Sequence, residues 1–178
     1  MQLRSDLTLI VILQLAALGY GLWTVAVARP VHLVFEISRF VVVHAVDIPG
    51  KLMAKAPPAL QRMPWTGPTL LSVREFKNNA EQTDATMMAL SGQAVGAQPN
   101  LWQSYAKGRA DVLAIAKPLT DFKARFAPRL SEINQALKAV PPGVAVGYVP
   151  LIGRNTFWTA FIDMNTAEVL AFVPIDPY

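Results

Sequence analysis

The chain has 178 residues, with 53% apolar and 16% charged side chains, a net charge of +4 and no cysteine. The missing cysteines exclude a disulfide framework and any thiolate-bound metal. The basic residues (Lys51, Lys55, Arg62, Lys77, Lys107, Arg109, Lys123, Arg125 and Arg129) are scattered along the chain. They read as solvated faces near anionic lipid, and no nucleic-acid partner is expected.

The first element is apolar throughout. No charged residue lies between Asp6 and Arg29. Residues 7–28 form a helix of about 33 Å, enough for a hydrocarbon core of roughly 30 Å. Tyr20 and Trp23 fall near its end, where amphipathic rings favour the interface. Arg29-Pro30 stops it, since the residue before proline is biased away from helix. Two readings of this segment stay open. One is a retained anchor. The other is a signal peptide with Arg4 as its basic leader and cleavage after Ala26-Val27-Ala28. The run is longer than an ordinary signal core, which favours the anchor. Either way the remainder lies outside the cytoplasm. Charges flanking the span give no vote on orientation.

Within the span, Gln14, Ala17, Gly21, Thr24 and Ala28 follow a spacing of three, four, three and four. They share one helical face, and all but Gln14 are small. Small residues let helices approach closely, and Gln or Thr can hydrogen-bond across the contact. This stripe is the candidate face for another membrane helix; the competing reading is chance in an Ala- and Gly-containing span.

Beyond the span, residues 31–36 and 40–46 read as two strands forming a hairpin. Five prolines follow between Asp47 and Pro68, with room for a short helix at 51–56 and a third strand at 69–74. Asn79-Ala80-Glu81-Gln82 fits a capping box opening a helix that ends before Gly92. Asn100-Leu101-Trp102-Gln103 repeats the pattern, and Leu101, Tyr105, Val112 and Ile115 share a face up to Pro118. Leu130, Ile133 and Leu137 mark a third helix, stopped by Pro141-Pro142-Gly143. Residues 144–149, 156–163 and 168–173 then read as strands, with Asp163-Met164-Asn165-Thr166 as turn chemistry. The fold class expected is α+β: one N-terminal transmembrane helix followed by a largely antiparallel sheet with three or so helices. Residues 1–28 are the anchor with a short leader, and residues 29–178 the periplasmic α+β domain.

No glycine-rich phosphate loop, dinucleotide fingerprint or nucleophile elbow is present. His32 and His44 lie in strands without metal-ligand spacing. Asp163 is a turn residue, and neither it nor Asp176 has a nucleophile beside it. Trp65, Trp102 and Trp158 are spread along the chain, each either a core residue or an exposed contact. No catalytic residue, cofactor or metal is expected; the chain reads as a binding protein rather than an enzyme.

The run from Leu9 to Val25, then Ala28-Arg29-Pro30-Val31, Val34-Phe35-Glu36, Arg39-Phe40 and Ala45-Val46-Asp47, resembles the TfpX/TfpZ family of type IV pilin accessory proteins. Val149-Pro150-Leu151, Gly153-Arg154, Phe161-Ile162-Asp163 and the closing Asp176-Pro177-Tyr178 extend the likeness to the C-terminus. The resemblance is strong over 7–47 and loose in the middle. It implies an accessory or chaperone-like role in type IV pilin assembly, by binding at the inner membrane. The implied partners are a pilin subunit, the inner membrane and other pilus assembly components. It also places the start of this sequence just before the family's last membrane helix, with the earlier ones missing and the N-terminus inside. The stripe Gln14, Ala17, Gly21 and Thr24 would then face either those helices or the apolar helix of a pilin. The alternative function is a membrane-tethered or secreted periplasmic enzyme acting on pilin or envelope glycans. Converging carboxylates, such as Asp163 near Glu168 or Asp176 in a cleft, would favour it.

Overall fold

The computed structural model describes residues 2–178, with side chains from Asp6 onward. Met1 and the side chain of the leader residue Arg4 lie outside the described residues. Helix α1 (Gln2–Ala28) is 27 residues long and has no internal proline. It is apolar on all sides, the pattern of a buried core helix or a membrane span. From Asp6 to Val25 every residue is exposed, so α1 is no core helix. It is long and apolar enough to cross a membrane.

Strands β1 (Pro30–Glu36) and β2 (Arg39–His44) form the expected antiparallel hairpin. The turn places Ile37 at φ +53°, a left-handed conformation that a β-branched residue adopts at a cost. Residues 45 and 46, expected in the strand, instead begin a 3-10 turn (Ala45–Asp47). The Asp47 carboxylate draws the chain out of the sheet by accepting the His44 backbone N–H at 3.1 Å. Helix α2 (Gly50–Met53), strand β3 (Thr69–Val73) and helix α3 (Asn79–Leu90) follow.

The cap of α3 lies one residue earlier than expected. Asn78 accepts the Glu81 N–H at 2.9 Å, and Glu81 caps the Lys77 N–H. The next helix also begins later. Asn100 sits in a 3-10 turn (Pro99–Leu101), Trp102 and Gln103 enter strand β4 (Trp102–Ser104), and helix α4 runs Tyr105–Ile115. Gly108 lets α4 lie directly on β3: a Cβ there would sit 2.5 Å from Ser72. Strand β5 (Lys117–Pro118) and helix α5 (Leu119–Arg125) occupy a stretch that shows no clear periodicity. Helix α6 (Leu130–Ala136) falls where expected. Strands β6 (Val146–Ile152), β7 (Phe157–Asp163) and β8 (Val169–Val173) close the chain.

The strands form one sheet in the order β4-β3-β1-β2-β6-β7-β8, with β5 also on β6. The β1–β3 and β2–β6 pairs are parallel; the others are antiparallel. The arrangement is therefore α+β, and the two parallel joins are the departure from a simple meander. The β2–β6 join is short, pairing Phe40 with Leu151 and Val41 with Ile152. Helix α4 buries one face of both halves around Phe35, Phe40, Tyr105, Val149 and Ile162. On the other face, Trp102 and Ala97 cover β1 and β2, while Phe122 and Ile133 cover β6 and β7.

Candidate functional site

The five residues of the small-residue stripe all lie on α1 and are all exposed. A Cβ added at Gly21 would meet nothing within 4 Å. The face is thus open for another helix. One member is partly committed: the Thr24 hydroxyl donates to the Tyr20 carbonyl at 2.9 Å. It keeps only acceptor capacity for a partner, so Gln14 is the residue of the stripe best able to donate across a contact.

Helix α1 does not end free. Arg29 donates to the Ala26 carbonyl in the last turn, which lacks an intrahelical partner. Its other nitrogen reaches the Pro64 carbonyl at 3.4 Å, and its guanidinium stacks 4.6 Å from the centre of the Trp65 ring. The Ala45 N–H donates to the Arg29 carbonyl at 3.0 Å. The helix base is therefore tied to two segments, the 3-10 turn after β2 and the proline-rich loop. Both carry exposed apolar side chains there: Val46 at 51% and Trp65 at 80%. Trp65 is the domain's exposed tryptophan; Trp102 is buried, and Trp158 is half-buried with its N–H on the Thr156 hydroxyl at 3.0 Å.

Beside this base, a cleft of about 620 Å³ opens at the β2–β6 join, lined by Val43, Val46, Asp47, Gln93 and Arg154. Asp47 organises it. One carboxylate oxygen takes Arg154 at 3.2 Å, across 107 residues, and the other lies 3.2 Å from the His44 ring. Gln93 donates to the Asp47 carbonyl at 3.3 Å. Asp47 and Arg154 were separate landmarks in the sequence; the fold makes them a pair. Glu36 is a second anchor: it is buried, accepts two bonds from Arg39 at 3.0 and 3.1 Å, and accepts the Gly96 N–H at 2.5 Å. The Asp47–Arg154 and Glu36–Gly96 pairings were not visible in the sequence, because partners 107 and 60 residues apart leave no local pattern.

The candidates for chemistry do not assemble. His32 is buried, 2.6 Å from the Thr69 hydroxyl and edge-on to Trp102. Burial pushes it down to about 4, so the ring is neutral at pH 7 and serves packing. Asp163 accepts the Asn165 N–H at 2.7 Å in an open turn, with Glu168 exposed beside it. Asp176 lies with Tyr178, whose ring packs on Phe157 at the other end of β7, roughly 20 Å from Asp163 at about 3.3 Å per residue. Among the described residues, no group of three or more His, Cys, Asp or Glu is placed to hold a metal.

Known proteins now bear on this arrangement. A fimbrial assembly protein of serogroup I from Dichelobacter nodosus is 31% identical over 176 residues, covering 97% of this chain and 68% of that protein. The chain belongs to the fimbrial assembly protein family. The serogroup E1 fimbrial assembly protein of the same organism is 29% identical over the same extent. No protein-family model and no solved structure matches the chain. Membership in this family agrees with a pilus-assembly role and with the exposed helix α1, and the relatives' names describe assembly rather than catalysis.

Proposed function

We propose that the protein is an accessory factor for type IV pilin assembly. Helix α1 stays in the inner membrane as a single span, and residues 29–178 form a periplasmic domain beside the membrane-embedded pilin. The observation that carries this reading is an apolar helix left uncovered by the described residues and joined through Arg29 to the sheet, in a chain 31% identical to a fimbrial assembly protein. Such a helix is stable only in lipid or against another apolar helix. Its open stripe of Gln14, Ala17, Gly21, Thr24 and Ala28 receives the pilin's apolar helix, which is held in a chaperone-like way before polymerisation. The tethered-enzyme alternative loses the support it needed, since Asp163, Glu168 and Asp176 do not converge in a cleft.

The test is photocrosslinking in intact membranes from a reactive residue at Gly21. A pilin adduct that falls sharply when Gly21→Leu is placed in a parallel strain, read from a second reactive residue at Ala17, supports the reading. No described residue lies within 4 Å of a Cβ placed at Gly21, so the added side chain leaves the fold intact and any loss reports the contact. Adducts with no pilus component in piliated cells would remove the pilin from the stripe.

A further inference from the structure

An exposed tryptophan leaves a large apolar ring in water, where burial of such a side chain would be favourable. Trp65 is 80% exposed, and its ring contact is with Arg29. Arg29 is the first residue after α1. The apolar length of the helix, 23 residues from Asp6 to Ala28, spans about 34 Å at 1.5 Å per residue. A hydrocarbon core is roughly 30 Å thick, which sets Arg29 at the headgroups. Whatever the tilt of the helix, a ring 4.6 Å from the Arg29 guanidinium lies at nearly the same depth. Val46 is held at this level independently, through the bond from the neighbouring Ala45 N–H to the Arg29 carbonyl. Tyr20 and Trp23, in contact at 5.9 Å, lie below on the same helix, roughly 1.7 to 2.5 turns before Arg29 at about 3.6 residues per turn.

We infer that Trp65 and Val46 form a seat on the phospholipid bilayer: they insert into the headgroup layer around the emerging helix and fix the sheet against the membrane surface. The inference rests on the reading that α1 spans the membrane. Tryptophan suits this layer because its ring is apolar while its N–H finds water or a lipid carbonyl. Arg29 keeps the ring in place and adds a positive charge at phosphate depth. With the seat engaged, the β2–β6 cleft beside Val46 is held within reach of a membrane-embedded partner.

The chain has no cysteine, so single cysteines can be spin-labelled without background. Labels at Val46→Cys and Thr66→Cys are compared with labels at Gly21→Cys inside the span and Ile37→Cys at the far end of the β1–β2 hairpin. The full chain is reconstituted in phosphatidylethanolamine–phosphatidylglycerol vesicles, and accessibility to oxygen and to a water-soluble nickel complex is measured. The expected result is an interfacial ratio at 46 and 66, between the lipidic value at 21 and the aqueous value at 37. Adding Trp65→Ser should shift the label at 66 toward the aqueous value. Aqueous values at 46 and 66 with a lipidic value at 21 overturn the seat and leave the span standing. An aqueous value at 21 overturns the span, and the seat with it.

Discussion

Helix α1 and strand β1 are both apolar and are separated by a single residue, yet they meet opposite fates. Leu9, Leu13 and Leu15 of α1 are 62–69% exposed, while Val31 and Val34 of β1 are fully buried. The sheet finds its cover within the chain, from α4 on one side and from Trp102, Phe122 and Ile133 on the other. Among the described residues the helix finds none. The difference separates two kinds of residue in one chain. Changes in the sheet should read out as stability, and changes in α1 as location and association.

The largest effect expected on the sheet side is from Glu36→Ala. Removing a buried carboxylate strands the Gly96 N–H and leaves Arg39 without its partner. Arg39 is partly exposed and can turn to water, so the loss should sit near the lower end of the usual range, about 3 kcal/mol. Chemical denaturation of the full chain in detergent measures it. Membrane retention of α1 should not change, and a joint loss of both would collapse the contrast between the two regions.

Acid should produce the next largest effect, again in the sheet alone. His32 is held down to about 4, from an ordinary value of 6.5, because burial disfavours its charged form. The folded state therefore binds this proton less readily than the unfolded state does. The sheet keeps its full stability above about pH 6.5 and loses it progressively as the pH falls toward 4, by roughly 3 kcal/mol at most from this group. Replacing His32 by Phe should flatten the pH dependence in that window. Between Asp6 and Arg29 the helix has no charged group, so its membrane retention should stay constant over the same range.

A smaller effect of opposite sign is expected at the hairpin. Ile37 is 71% exposed and held at φ +53°, so it has strain without compensating burial. Ile37→Asn relieves the strain, because Asn tolerates the left-handed region, and should raise stability by about 1 kcal/mol. Equal or lower stability on denaturation would mean that the turn carries no strain that asparagine relieves.

The elements that could be read from the sequence are those whose pattern is local. The α1 span, the β1–β2 hairpin, β3 and the closing β7–β8 hairpin carry their periodicity and turn chemistry in adjacent residues. Helix α5 escaped because Leu119 to Arg125 offers one buried anchor, Phe122, and a single anchor makes no period. Trp102 and Gln103 looked like the first turn of a helix; pairing of β4 with β3 pulled them into the sheet, a tertiary override of a plausible cap. The spacing of the small-residue stripe could be read as one helix face; the contact assigned to it belongs to the proposal. The Arg29–Trp65 stack and the Asp47–Arg154 pair were not, since each joins positions that only the fold brings together.

The smallest expected effect divides the stripe itself. Gln14 and Thr24 are both polar residues on one apolar face, and composition alone gives them equal standing as hydrogen-bonding contacts. The structure separates them. The Thr24 hydroxyl hydrogen is already placed on the Tyr20 carbonyl, so Thr24→Val removes little that a partner helix could use. Gln14 has a side-chain amide with two donors, which in the proposed span would have no water to satisfy them. Gln14→Leu should therefore weaken helix association by about 1 kcal/mol, and Thr24→Val by a few tenths at most. Crosslinking yield from Gly21 to the pilin, titrated against pilin expression, reads both on one scale. Equal losses from the two variants would mean that the Thr24 hydroxyl leaves its own helix on binding, and the polar contact would then extend along the face from Gln14 to Thr24 rather than centring on the glutamine.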